Sequence, residues 1–409
     1  MAEEVTGSSE PDDLRDILGD GPPPFPAKIE REFKPWHRPR KQYVRNSQWS
    51  REIGILARDL NLRGSELRYL TLPGNDLLDI RHIAETVCSP REVTLRYLGF
   101  NSAAAPLAVQ QSDLNSAEFS IIRMGCIHPQ SEVYSADFRS VGQSRSPEWH
   151  RVKRDAPFHA INIDLCGGFA GVEKAGGVPN YFAALQAILQ HQMHSDEDFL
   201  LFITTRMDDS NVDVRVKETL IGMAQDIHDT CQAYASEFAA SWGLQENVSP
   251  VHVADFTDAG EAFMLGLTQW IISRGVDLGL KASVKSFMTY RTGNGQGVDD
   301  IVSLAIRFKP DPVIQPDPHD LIRVVNPPAS PTDKMCAQSS TVPGRVSNRT
   351  RVDEMLRAQA DEFERCIRES SELLGAAGYD ASRYREWVMQ EDGQSEAPRG
   401  ESAEAQPGA

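Results

Sequence analysis

Three acidic side chains and one amide lie at the ends of short apolar runs, where ligand-binding residues often occur. Asp76 and Asn101 follow two such runs, Asp137 closes a third, and Asp164 ends a fourth. Carboxylates and amides at these positions can hold hydroxyl and amino groups, and a carboxylate can orient a reacting group. For Asp76 and Asn101 a capping role at the start of the next helix is the alternative.

The loop after the first run reads LPGNDLLDI and contains Pro73, Gly74, Asp76 and Asp79. Gly74 would let the backbone approach a ligand at the start of the following helix. Asp76 and Asp79 are candidates for contacting an amino group of that ligand. An ordinary turn between strand and helix, capped by Asp76, is the alternative.

The loop after the fourth run reads NIDLCGGF, and Asp164 is our candidate catalytic residue. Gly167 and Gly168 would let a substrate come close to it. Cys166 is a candidate nucleophile, but no basic neighbour is evident in the sequence to activate it. None of the six cysteines forms a C-x-x-C pair, so we expect free, mostly buried thiols rather than disulfides or zinc sites. No metal site is predicted.

A basic and aromatic segment covers residues 33–51, FKPWHRPRKQYVRNSQWSR, and has no acidic residue. Basic side chains contact phosphates and aromatic rings stack on unpaired bases. The segment is therefore a candidate nucleic-acid interface, or alternatively a strap whose aromatics pack on the domain while its arginines pair with acidic residues. The candidate contact residues are Trp36, Arg38, Arg40, Lys41 and Arg45.

Strand-like and helix-like segments alternate along the middle of the chain, which is typical of an α/β protein with a doubly wound, mostly parallel sheet. The pattern predicts seven strands. The last two, 284–291 and 300–308, are joined by TGNGQGVD and form an antiparallel hairpin at an edge of the sheet.

This order of elements resembles that of class I S-adenosylmethionine (SAM) methyltransferases over residues 47–310, and the predicted hairpin lies where theirs does. The resemblance implies a seven-stranded class I methyltransferase-like fold and SAM as cofactor. Pro73, Gly74, Asp76, Asp79, Asn101 and Asp137 would bind it. The D-x-x-G outline at Asp164 is similar to that of tRNA guanine N2-methyltransferases and of three-Cys-motif partner proteins.

The resemblance implies a methyltransferase acting on RNA or DNA. The alternative is a catalytically inactive methyltransferase-like module that binds nucleic acid or a partner protein, such as a component of a bacterial defence system. A dinucleotide-dependent enzyme is a third class, but no G-x-G-x-x-G follows the first strand.

The remaining segments define the expected domain organisation. Residues 1–29 and 391–409 are predicted to be disordered tails, and 311–350 a linker or strap. Residues 30–52 hold the basic strap and first helix, followed by the Rossmann-like domain over 53–310. Helix 351–376 is amphipathic and would pack on the domain or contact a protein partner. No apolar run is long enough to span a membrane and the first residues do not resemble a signal peptide, so we expect a cytoplasmic protein.

Overall fold

The computed structural model describes residues 31–102, 108–165, 167–171, 180–244, 250–293, 297–311 and 329–393. Most of the sequence predicted as tails, and residue Cys166, lie outside these ranges. Within the described residues, no helix has the length and apolar character needed to cross a membrane.

A single mixed sheet of eight strands, in the order β3-β2-β1-β4-β5-β7-β6-β8, forms the centre of the molecule. Its first five strands are parallel to one another, β7 runs antiparallel between β5 and β6, and β8 is parallel to β6. The strands are β1 (Glu66–Thr71), β2 (Thr94–Phe100), β3 (Glu132–Tyr134), β4 (Ala160–Asp164), β5 (Phe199–Arg206), β6 (Leu280–Tyr290), β7 (Ile301–Pro310) and β8 (Thr350–Arg351).

Helices cover both faces of the sheet and enclose the two largest apolar clusters of the described chain. Those before β6 are α1 (Pro39–Val44), α2 (Arg51–Asp59), α3 (Leu78–Ile83), α4 (Ala108–Ile122), α5 (Pro147–Asp155), α6 (Tyr181–Gln192), α7 (Val214–Thr230), α8 (Gln232–Ser241), α9 (Val253–Phe256) and α10 (Ala259–Asp277). Those after β7 are α11 (Pro331–Ser339), α12 (Val342–Ser347), α13 (Val352–Ala358), α14 (Ala360–Ala376) and α15 (Ala381–Gly393). A π-helical turn, Arg45–Ser50, joins α1 to α2.

The predicted α/β class, the mostly parallel sheet and the antiparallel β6–β7 pair are confirmed. Because the central strands are buried on both faces, they occur in the sequence as nearly continuous apolar runs. The expected number of strands is wrong: β8 adds an eighth. The hairpin is not an edge, since β8 covers β6 and β7 is inserted beside β5.

Three other expectations for the carboxyl-terminal half of the chain are wrong. Residues 329–350 contain α11 and α12 instead of an extended strap; Ser330 caps α11 through the Asp333 amide, and Pro331 occupies its first turn. The helix predicted over 351–376 is interrupted at Gln359. Cys231 and Cys336 form a disulfide that ties the end of α7 to α11, although the sequence favoured free thiols.

Gly266 in α10 allows this helix to approach α7 closely. A methyl group at Gly266 would lie 2.3 Å from the backbone oxygen of Leu220, which cannot move without distorting α7. Gly222, on α7, is exposed, and a methyl group there would contact nothing within 4 Å. The two helical glycines therefore differ only in what lies beside them.

We expect Gly266→Ala to reduce the free energy of unfolding by about 3 kcal/mol, because overpacking forces two helices apart. Gly222→Ala should increase it by about 0.5–1 kcal/mol through helix propensity. Urea unfolding followed by circular dichroism measures both variants. Equal effects would contradict the close packing of α7 on α10.

Candidate functional site at the carboxyl edge of the sheet

The boundary between β1 and β4 is the point where the strand order reverses. β1 lies between β2 and β4 in the sheet, so the connections that follow β1 and β4 lead to opposite sides. Doubly wound sheets bind ligands in the crevice at such a switch point. Gly74 follows β1 and Asp164 ends β4, so these two candidates lie on either side of this boundary.

Gly74 leaves open space at the end of β1. A methyl group on Gly74 would meet nothing within 4 Å, whereas one on Gly99 of β2 would lie 3.0 Å from the Pro73 ring. Pro73 therefore packs inward on β2. Asn101 lies beside this loop, and its side-chain amide donates a 2.8 Å hydrogen bond to Asn75. The structure thus brings Pro73, Gly74 and Asn101 together; their role in cofactor binding stays a prediction.

Asp79 faces the interior of the protein. Its carboxylate accepts hydrogen bonds from Thr71 at 2.5 Å and from the Tyr69 hydroxyl at 3.2 Å, and Asn162 of β4 donates to that hydroxyl at 2.9 Å. Burial raises the pKa of Asp79, and the hydrogen bond from Thr71 opposes the rise. In this arrangement Asp79 stabilises the β1–β4 boundary and does not present its carboxylate to a ligand.

Asp76 connects the two ends of the chain. Arg31 forms a 2.6 Å ion pair with it, and the Tyr379 hydroxyl donates to it at 2.8 Å. His37 lies 3.9 Å away but is neutral, because burial and then Arg45 lower its pKa to about 3. The predicted helix cap at Asp76 is absent, since no side-chain cap is present at the start of α3.

Asp137 lies beyond β3, which is separated from β1 by β2. It caps the turn Phe138–Gly142 through the Arg139 amide and forms a 2.5 Å ion pair with the Arg139 side chain. Burial alone would raise the pKa of Asp137, but the hydrogen bonds from Arg139 outweigh it and lower the pKa. In the structure Asp137 therefore caps a turn, a role that the sequence analysis did not consider for it.

Asp164 forms a buried ion pair with Lys41 of α1. The Lys41 ammonium lies 2.5 Å from Asp164 Oδ1, 3.4 Å from the Tyr290 hydroxyl at the end of β6, and 4.7 Å from the centre of the Trp49 ring. Burial alone would lower the pKa of Lys41, but the attraction of Asp164 outweighs it, so the amine stays charged. The Lys41 side chain is 8% exposed and that of Asp164 is 24% exposed, so the carboxylate remains accessible.

Arg45 lies next to this pair and is also buried. Among the described residues its guanidinium makes one hydrogen bond, a long one of 3.4 Å to Gln42, and its Nε has no partner there. Burial lowers the pKa of Arg45, and the carboxylates of Asp164 and Asp79 oppose this from beyond ion-pair distance. Arg45 is therefore a buried guanidinium facing the switch point without a carboxylate bound to it.

The basic segment 33–51 is not an exposed surface. Arg38, Arg40, Lys41 and Arg45 are buried, and only Trp36 of the five predicted contact residues is exposed. The Arg40 guanidinium is 3.3 Å from Asp353 of α13 and donates to the Arg291 carbonyl, while that of Arg38 lies over the Trp387 ring. The expectation that these basic side chains are accessible to a polyanion is wrong; the strap alternative describes them.

The amphipathic region 351–376 covers this segment from the other side. Phe33 contacts the rings of Tyr379, Tyr384 and Trp387, and the Tyr384 hydroxyl donates to the His37 carbonyl at 2.5 Å. These three rings lie after α14; α14 itself packs on the parent domain, where its Ile367 and Leu374 form one apolar cluster with Leu78 of α3. A protein partner for it stays a prediction.

Sequence reasoning did not identify the contributions of Arg31, Asp353 and Tyr379, which hold the strap in place. Each lies far along the chain from its partner, so no local spacing could have revealed the pairing. The basic segment itself carried the usable signal: cations without acidic neighbours, interleaved with aromatic rings, are typical of burial against distant carboxylates as well as of nucleic-acid binding.

The comparisons with known proteins give one family. A family model described as PP_RS20740-like matches residues 30–389. The match includes the strap, the sheet and the carboxyl-terminal helices. No curated protein matches the chain.

Substituting either member of the Lys41–Asp164 pair should lower the free energy of unfolding, but by different amounts. Asp164→Asn leaves a buried ammonium uncompensated and should lower the free energy of unfolding by about 3 kcal/mol. Lys41→Met leaves a carboxylate that water can reach and should cost about 1 kcal/mol. Urea unfolding of the single variants and the double variant measures this; the double variant should resemble Lys41→Met. Equal losses from the two single substitutions would contradict the burial of Lys41.

His82 should make the protein sensitive to acid. Burial and then Arg45 lower its native pKa to about 3, whereas the unfolded side chain takes up a proton below about pH 6.5. The unfolded state binds more protons between these values, so stability falls as the pH drops below about 6.5. At pH 5 His82 should account for a loss of about 2 kcal/mol relative to pH 7.

His82→Gln should remove that part of the acid sensitivity, measured as the difference in urea unfolding free energy between pH 7 and pH 5. His150→Gln is the matched control, because His150 is exposed on α5. An unchanged difference in His82→Gln would show that this side chain is not buried in its neutral form.

Proposed function

We propose that this chain, which belongs to the PP_RS20740-like family, is a SAM-dependent methyltransferase whose active site lies at the β1–β4 switch point. The observation that carries the proposal is the combination of two opposite charges there. Asp164 is a partly accessible carboxylate at the tip of β4, and Arg45 is a buried guanidinium with no carboxylate partner in the described residues.

The sheet supports the same assignment. Five parallel strands in the order 3-2-1-4-5, continued by an antiparallel strand inserted before β6, resemble the class I methyltransferase sheet. In a doubly wound sheet of this order, the switch point is the expected ligand site.

Several residues of the switch point suit SAM. Gly74 leaves space at the end of β1, and Arg45 is positioned to bind a carboxylate of the kind carried by the methionine part of SAM. Asn101 lies beside the same loop. When bound, SAM would supply an activated methyl group.

The protein's own residues would then position the methyl acceptor. Asp164 would accept a hydrogen bond from an N–H or O–H of the acceptor, and Lys41 would hold the Asp164 carboxylate in one orientation. Orienting two reactants in this way is sufficient for a large share of the rate acceleration of such a reaction. A base in RNA or DNA is the acceptor class that we propose.

A second candidate function, a catalytically inactive module that binds nucleic acid or a partner protein, is favoured by a specific observation. Asp76, Asp79 and Asp137, three of the predicted cofactor-binding residues, already bind other side chains of the protein. A SAM site that used them would have to replace these contacts.

Calorimetry with SAM and with S-adenosylhomocysteine distinguishes the two candidates. The enzyme should bind both with dissociation constants in the micromolar range. Arg45→Gln should weaken binding at least about 10-fold, equivalent to about 1.4 kcal/mol. Arg368→Gln, at an exposed position of α14, should leave it unchanged.

Arg45→Lys keeps a cation at the position, so its SAM binding distinguishes a loss of charge from a loss of fold. Circular dichroism checks that each variant is folded. If neither compound binds the wild-type protein at millimolar concentration, the methyltransferase proposal is wrong and the inactive module remains.

A further inference from the structure

A groove with a volume of about 680 Å³ lies at the opposite end of the sheet from the switch point. Its walls are α2 and the two loops that precede β1 and β2. Both strands begin at the same level, with Glu66 paired to Thr94, so these loops lie side by side at the amino edge of the sheet.

Four arginines line the groove: Arg51, Arg58, Arg63 and Arg91. All four are exposed. Glu92 is the only acidic residue of the lining. In a chain of net charge −17, this is a local concentration of positive charge.

The arginines are available to a ligand. The Arg51 side chain has no ion pair or hydrogen bond within the described residues, and the pairs of Arg58 with Asp59 (3.5 Å) and Arg63 with Glu92 (2.9 Å) are exposed. Exposed pairs contribute about 0–1 kcal/mol, so phosphate groups can replace them at little cost.

Gly54 shapes the floor of the groove. Arg51, Gly54 and Arg58 lie on one face of α2, because they are spaced three and four residues apart. Since Gly54 has no side chain, the Arg91 guanidinium lies across this face, and a methyl group on Gly54 would be 3.0 Å from Arg91 Nη2. Arg91 is held there by hydrogen bonds of 3.1 Å to the carbonyls of Thr86 and Val87.

The loops that form the other wall are held in place by backbone hydrogen bonds. Gly64 donates to Glu92 and Thr94 donates to Ser65. Asn61, Gly64 and Glu92 have the left-handed backbone conformation that such tight turns use. The groove is therefore largely formed before any ligand binds.

We propose that this groove binds the sugar–phosphate backbone of a single-stranded nucleic acid. Arg51 and Arg58 are seven residues apart on a helix, which places them about 10 Å from each other along its axis. Successive phosphates of a strand can each contact one of these arginines without the two side chains having to converge. No aromatic side chain lines the groove, so the contacts are to phosphates and not to bases.

This inference does not depend on the proposed methyltransferase activity, because the groove and the switch point lie at opposite ends of the strands and share no residue. The sequence pattern predicted a nucleic-acid contact within residues 33–51, but most basic side chains of that segment are buried. The groove instead uses Arg51, the exposed last residue of the segment, and residues beyond it.

The test measures binding of a fluorescent 20-nucleotide DNA strand and of RNA of the same sequence, by anisotropy at several salt concentrations. The triple variant Arg51→Ala, Arg58→Ala, Arg63→Ala leaves Arg91 in place, because Arg91 also holds the carbonyls of Thr86 and Val87. It should bind at least 10-fold more weakly, and its salt slope should fall by about 2, because each phosphate contact on a single strand contributes about 0.7.

The matched control is Arg215→Ala, Arg357→Ala, Arg368→Ala, which removes the same charge from exposed helical positions outside the groove. It should bind like the wild type. The proposal is overturned if the two triple variants are equally weakened, which would indicate a general charge effect, or if the groove variant binds normally. It is also overturned if millimolar inorganic phosphate displaces the strand at constant ionic strength, which would identify a site for a single phosphate.

Discussion

The ion pair between Lys41 and Asp164 is the interaction on which the arrangement of this protein depends. An ammonium and a carboxylate can be removed from water only if they compensate each other. This requirement places α1 over the carboxyl edge of the sheet, and α1 in turn places Arg45 beside the switch point. The amino-terminal segment is thus part of the candidate site and does not extend from it as an arm.

The same physical constraint explains the carboxyl-terminal helices. A segment with several cations and aromatic rings cannot be buried by the sheet alone, because its remaining charges need carboxylates and its rings need apolar partners. Asp353 supplies a carboxylate to Arg40, Asp76 supplies one to Arg31 just before the segment, and the rings around Phe33 supply apolar contacts. Contacts between residues more than three hundred positions apart therefore join the amino-terminal segment to the carboxyl-terminal helices over the switch point. The family match includes both of these parts of the chain.

Positive charge is concentrated in two regions of the molecule, one at each edge of the sheet. At the carboxyl edge Lys41 and Arg45 are buried; Lys41 is paired with Asp164, and Arg45 has no carboxylate partner among the described residues, which suits a small ligand that carries both charges. At the amino edge four arginines are exposed, two on α2 and two in the segments that precede β1 and β2, which suits a repeating polyanion. A sequence-wide net charge of −17 reveals neither region, because each depends on which charges lie together in space.

Local patterns in the sequence predicted seven of the eight strands and the α/β class, because burial on both faces imposes apolar runs and turns need particular residues. They also identified Asp164 and the loop of Gly74 as edge residues. Only the tertiary structure decided that Asp76, Asp79 and Asp137 bind other side chains of the protein, that the basic segment is buried and that β8 completes the sheet. These outcomes depend on partners distant in the chain, and pairing between distant residues leaves no periodic signal in a single sequence.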